Sequence, residues 1–246
     1  MSIEVQERDI KLLKFVFACR VASYQQIVQR CFVEKNRMNA YRRVRKLCGA
    51  GLLKSAFVVR GNQEKKYVSV TEKAWPLIRD DWPFDVDSPH FKSESPNHDL
   101  RLNEILFKLE KLKTFRSFYP ENLLQSSTVL AGEGNLCDLA KLQADGALLL
   151  NGPDGRTYTY GIEFEISKKT PERYREKLGA YYLARGIDGV IYVCSEREIV
   201  NSLNLIDREL RKEGVSILFF GMEKEVLHSA EKINFQNAKE HRLELY

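Results

Sequence analysis

The chain has 246 residues, enough for one large domain or two small ones with a proper buried core. With 43% hydrophobic and 30% charged residues it has the composition of an ordinary soluble protein, and no apolar run approaches the roughly 18 to 20 residues that span a bilayer. The net charge of +5 conceals an asymmetry, since residues 1–75 hold sixteen Lys and Arg against six Asp and Glu, whereas residues 76–246 hold twenty-three against twenty-eight. A basic module that binds a polyanion, joined to an acidic one whose chemistry needs carboxylates, is the expectation. The opening MSIEVQERDIKLLKF is no signal peptide, so cytoplasmic residence and no membrane insertion are expected. Cys19, Cys31, Cys48, Cys137 and Cys194 form no C-x-x-C pair and read as reduced core residues.

Glu7 to Cys19 predicts a helix through Ile10, Leu12, Leu13, Phe15, Val16 and Phe17. Ser23 caps a second helix through Tyr24, Ile27, Val28 and Cys31, and Asn36 a third over 37–48 that ends at Gly49-Ala50-Gly51. The third helix has an apolar stripe of Ala40, Tyr41, Val44, Leu47 and Cys48, with Met38 and Tyr41 read as core. Arg37, Asn39, Arg42, Arg43, Arg45 and Lys46 cover the rest of its surface and are candidate DNA contacts. Residues 52–59 and 66–70 predict a hairpin around Gly61-Asn62, with Arg60, Lys65 and Lys66 near its tip as further DNA contacts. Three helices and a basic hairpin resemble a winged helix-turn-helix, placed at residues 1–78.

Residues 79–97, with three prolines and no periodicity, read as a linker to a second domain over 98–246. A helix over 98–112 follows, then an extended region over 115–130 and a Gly-rich turn at 132–135. Strands are predicted over 141–150 and 158–166, with a helix from Thr170-Pro171 through Tyr174, Leu178, Tyr181, Tyr182 and Leu183. A buried strand over 188–194, a helix over 196–212 and a strand over 215–222 complete an α/β core with a mixed sheet, leaving 223–246 as a peripheral tail. The expected architecture therefore has two domains, an α+β winged helix-turn-helix and an α/β core.

The chemistry centres on Ala144-Asp145-Gly146 and Gly161-Ile162-Glu163-Phe164-Glu165. Alternation along a strand puts Glu163 and Glu165 on one face and Ile162, Phe164 and Ile166 on the other. Two carboxylates near a core need a cation or hydrogen-bond donors. If the two strands pair, Asp145 converges on them, and three carboxylates suit Mg²⁺ or Mn²⁺. Lys169, with Lys168 as competitor, supplies an ammonium that could stabilise a phosphate under attack.

Ala-Asp-Gly, then Glu-Phe-Glu and a nearby Lys, resembles the PD-(D/E)xK core of restriction-type endonucleases, with Ala144 in place of Pro and Glu165 in place of the usual Lys. With the basic N-terminal module and the helix entry His98-Asp99-Leu100, the whole chain resembles the MobC-type (MOBC) relaxases and the related replication-relaxation proteins. That resemblance implies a restriction-endonuclease-like core and a nickase acting at a plasmid transfer origin to begin conjugative mobilisation. It makes Asp145, Glu163 and Glu165 metal ligands, Lys169 the catalytic lysine and Glu104 an accessory acid, with His98 a lesser candidate. The partners implied are double-stranded DNA, an accessory mobilisation protein, a coupling protein and, as an option, a second copy of the chain. His90, His98, His228 and His241 are dispersed, so the histidine cluster of most relaxases is absent. Tyr181 and Tyr182 are read as packing residues, so water or hydroxide is the expected nucleophile, with attack by one of the two tyrosines as the alternative. The alternatives are a regulator with a degenerate nuclease-like domain, its carboxylates paired to Arg173 or Arg175, and a restriction-type enzyme cutting both strands.

Overall fold

The computed structural model describes residues 3–32, 37–60, 63–132, 135–211, 214–230, 232–239 and 241–246. The Asn36 cap, the Gly61-Asn62 turn and the side chain of Arg60 lie outside the described residues. The chain divides into two compact units, residues 1–104 with 126–128, and residues 105–125 with 129–246.

The first unit contains α1 (Glu7–Ala18), β1 (Ala22–Ser23), α2 (Tyr24–Cys31), α3 (Arg37–Gly49), β2 (Leu53–Arg60) and β3 (Gln63–Val70). A capping box starts α2: the Ser23 hydroxyl accepts from the Gln26 N–H at 3.2 Å, and the Gln26 side chain accepts from the Ser23 N–H at 2.9 Å. The three strands form an antiparallel sheet in the order β1-β3-β2. Leu12, Val16, Ile27, Ala40, Val44, Leu47 and Val68 fill the core beneath it. On α3 the buried stripe is narrower than expected. Ala40, Val44 and Leu47 carry it, while Tyr41 (38%) and Met38 (53%) are exposed, because position 41 is rotated about 100° from position 40.

Residues 79–97, expected as a linker, fold back onto α1. The Phe17 ring lies 5.0 Å from Trp75, 6.0 Å from Trp82 and 5.8 Å from Phe91. The start of α4 (Pro96–Leu109) is also tied into this unit, the Gln26 amide donating to the Leu100 carbonyl at 2.7 Å and the Asn103 amide to the Val21 carbonyl at 2.8 Å. Aromatic burial thus consolidates a segment whose prolines and acids read as irregular.

The second unit is built on a seven-stranded mixed sheet in the order β10-β9-β8-β7-β6-β5-β4. Its strands are β4 (Phe115–Pro120), β5 (Gly146–Asn151), β6 (Thr157–Glu165), β7 (Gly189–Cys194), β8 (Leu218–Met222), β9 (Ile233–Gln236) and β10 (Arg242–Leu245). β6, β7 and β8 are parallel, linked by the crossover helices α8 (Pro171–Leu183) and α9 (Arg197–Arg211), and the remaining pairs are antiparallel. The order β5-β6-α8-β7-α9-β8 is the one expected.

Three segments differ from expectation. Beyond β4 the supposedly extended region winds into α5 (Glu121–Ser126) and α6 (Thr128–Gly132). Lys141 ends the short helix α7 (Cys137–Lys141), so β5 starts only at Gly146. The expected tail supplies α10 (Glu223–His228) and both strands of the sheet's far edge, burying Ile233, Phe235 and Leu245. Four-residue strands are too short for their alternation to register amid charged neighbours. No helix among the described residues is long and apolar enough to cross a membrane.

Gly189 opens β7 where a Cβ would sit 2.8 Å from the Ile217 carbonyl oxygen. That oxygen is backbone and also accepts the Val190 N–H, so it cannot swing aside. Gly189→Ala is expected to cost about 1–3 kcal/mol, read as a lower urea midpoint with an unchanged slope.

Candidate active site

Both faces of β6 are covered, which turns its two carboxylates into buried groups: Glu163 is 5% and Glu165 4% exposed, while Ile162 and Phe164 pack into the opposite face. Each acid has its own partners. Glu163 accepts from the Tyr181 hydroxyl and from the Lys177 ammonium at 3.0 Å, both on α8. Lys177 donates in addition to the Leu142 carbonyl at 2.6 Å and the Gln143 carbonyl at 3.3 Å. Glu165 pairs with the Lys169 ammonium at 2.7 Å, and the Lys169 N–H donates to the Tyr174 hydroxyl at 3.1 Å. Lys168 is exposed.

Asp145 precedes β5, whose ladder with β6 begins at Gly146 opposite Ile162. Continued by one residue, that register sets Asp145 across from Glu163, and its carboxylate accepts the Phe164 N–H at 2.7 Å. Two residues before Asp145, Gln143 has φ 51°, in the left-handed region. Burial, then repulsion from Asp145, pushes the Glu163 carboxyl up from 4.5 to about 7, against the opposing pull of Lys177 and Tyr181. On β7, Tyr192 is the direct neighbour of Glu163. It is 1% exposed, its ring stands edge-on to Tyr181, and its hydroxyl has no hydrogen-bond partner among the described residues. Burial first and then Glu163, Glu165 and Asp145 drive its phenol well above the ordinary range.

Among the described residues no three His, Cys, Asp or Glu side chains are grouped to hold a metal ion. Glu165 is held in an ion pair with Lys169. A smaller donor set does fit, because Mg²⁺ takes one or two carboxylates and keeps several waters. Glu163 and Asp145, whose charge helps to raise the Glu163 carboxyl, would be that set, with the unpartnered Tyr192 hydroxyl on the adjacent strand.

Tyr181 and Tyr182, read as packing residues, both bond carboxylates, Tyr181 that of Glu163 and Tyr182 that of Asp207. Arg175 pairs with Glu172 and Glu209. Lys177 and Tyr192 were not singled out from the sequence. The one signal for Lys177 is its place beside the buried stripe Tyr174, Leu178 and Tyr181 of α8.

In the first unit, Arg37, Asn39, Arg42, Arg45 and Lys46 are exposed on α3 and Lys66 on β3, with Lys65 half-buried. Arg43 is committed elsewhere: it bonds both carboxylate oxygens of the fully buried Asp9 and the Glu4 carbonyl. Glu104 also belongs to this unit, lining a cleft with Tyr24, Arg45 and Lys66. His98 meets Asp99 at 3.2 Å. In comparisons with known proteins, no family model, no curated protein and no solved structure matches the chain.

Proposed function

We propose that the chain is a metal-dependent DNA endonuclease of relaxase type that nicks one strand at a plasmid transfer origin, its N-terminal unit a winged helix-turn-helix and its C-terminal unit a nuclease-like core. The observation that carries this reading is the buried Glu163 beside Asp145, a carboxylate pair whose mutual repulsion a divalent cation relieves. Bound there, Mg²⁺ or Mn²⁺ would activate a water molecule and offset charge on the scissile phosphate.

The chain's own residues do the rest. The Phe164 N–H fixes the Asp145 carboxylate, and the Tyr181 hydroxyl fixes that of Glu163, so both are oriented before substrate arrives. Lys177, paired with Glu163, takes the phosphate-stabilising role, whereas Lys169 stays with Glu165. The exposed cations of α3 hold the DNA phosphates.

A second reading, a regulator without catalysis, is favoured by the same two ion pairs, which neutralise Glu163 and Glu165 with no metal. Supercoiled plasmid carrying the origin, incubated with Mg²⁺ or Mn²⁺, separates the readings. Open-circle product from the wild type and none from Glu163→Ala is expected. Linear product marks an enzyme that cuts both strands, and intact binding with no metal-dependent product marks the regulator.

A further inference from the structure

We infer that the cleft between α2, α3 and the β2–β3 hairpin receives an unstacked nucleobase, so that the N-terminal unit binds single-stranded DNA. This deepens the DNA-binding half of the proposed function and rests on that half alone. The cleft has a volume of 640 Å³ and is lined by Tyr24 of α2, Tyr41 and Arg45 of α3, and Lys65 and Lys66 of β3. The Tyr24 and Tyr41 rings lie 5.4 Å apart at 37°. The Lys66 ammonium stands 5.6 Å from the centre of the Tyr24 ring and 5.5 Å from that of Phe57. Phe57 is 57% exposed and Tyr41 38%.

Large rings left to water on a basic surface are the platform on which bases stack, with cations beside them for the phosphates. Duplex DNA does not use such a platform. Its base faces are covered by their neighbours, and it offers groove edges and phosphates, which a protruding helix or hairpin meets. An unpaired nucleotide has a bare π face, an anionic phosphate and, in cytosine, an exocyclic amino group. The cleft matches all three. Tyrosine rings take the face, Arg45 and Lys65 the phosphate, and the Glu104 carboxylate in the same lining accepts from the amino group. Glu104 thereby acquires a role apart from the accessory catalytic one.

The test uses the full chain in EDTA, so that binding is read without cleavage. An oligonucleotide of about 12 residues carrying 2-aminopurine is compared with a hairpin duplex. Wild-type protein is expected to quench the 2-aminopurine of the single strand as the base stacks. Tyr24→Ala and Tyr41→Ala are each expected to weaken single-strand affinity by about 5- to 150-fold and leave duplex affinity unchanged, while Tyr24→Phe keeps both. No quenching by the wild type overturns the inference without recourse to any variant, and so do equal losses on the two DNAs. Plasmid nicking is scored separately. Nicking without quenching removes the cleft and leaves the nuclease, whereas quenching without nicking keeps the cleft and removes the nuclease.

Discussion

Glu163→Gln is expected to reduce metal-dependent nicking by about 100-fold or more, the scale on which transition states lose a preorganised electrostatic partner, while making the protein more stable at pH 8. The two effects share one cause. In the folded chain the Glu163 carboxyl is raised from 4.5 to about 7, by burial and then by Asp145. Between those values the folded state binds more protons than the unfolded state, so stability falls as pH rises through the window and levels off above about 7. The loss amounts to roughly 3 kcal/mol. A neutral isostere escapes it and retains an oxygen for the Tyr181 hydroxyl. Urea midpoints at pH 5, 6, 7 and 8 check this: the wild type should decline and the variant should not. Millimolar Mg²⁺ should then raise the wild-type midpoint at pH 8 by occupying the site, and should leave that of Glu163→Gln unmoved. A wild-type profile that is flat with pH sinks the account of the carboxylate pair whatever the nicking assay gives.

Arg43→Ala should destabilise the N-terminal unit by about 3–5 kcal/mol, the scale for leaving a buried charge unpaired. Burial alone raises the Asp9 carboxyl, yet the hydrogen bonds from Arg43 and the Gln6 N–H hold it below its ordinary value of 3.8. Its stabilisation is therefore present above that value and is lost in acid, as pH falls through the lowered folded pKa. Arg42→Ala is the matched comparison, being exposed on the same helix. It should keep the urea midpoint, weaken DNA binding and reduce the salt slope by about one unit. An Arg43→Ala protein as stable as the wild type but defective on DNA would return Arg43 to the DNA contacts.

These two predictions mark where the sequence could and could not be read. Alternation along 162–166 was enough to place Glu163 and Glu165 on one face, and register then set Asp145 across from Glu163. What a periodic pattern cannot contain is the docking of a helix onto a sheet. Lys177 reaches Glu163 because α8 packs by Tyr174, Leu178 and Tyr181, whereas Leu183, apolar and on the same helix, is 82% exposed. The same limit hid the Arg43–Asp9 pair, which joins residues on two helices and which charge counting assigns to the solvated face. Residues 79–97 were illegible for another reason. Trp82 and Phe91 are isolated aromatics without a period, and only the neighbouring Phe17 and Trp75 give them a place to go.

The Lys177 ammonium gathers one carboxylate and two carbonyl oxygens around its three protons, as a small ion would, but it is tethered to the chain. The chain thus brings its own counter-charge to a buried carboxylate of its sheet, where a divalent ion would otherwise have to supply it. An arriving ion is then a rival that must displace or share with a resident it cannot expel, so the site would load weakly until a phosphate came to engage the lysine. The millimolar ion that loads the DNA-free protein would, on this account, load it at lower concentration once the scissile phosphate lies beside the lysine.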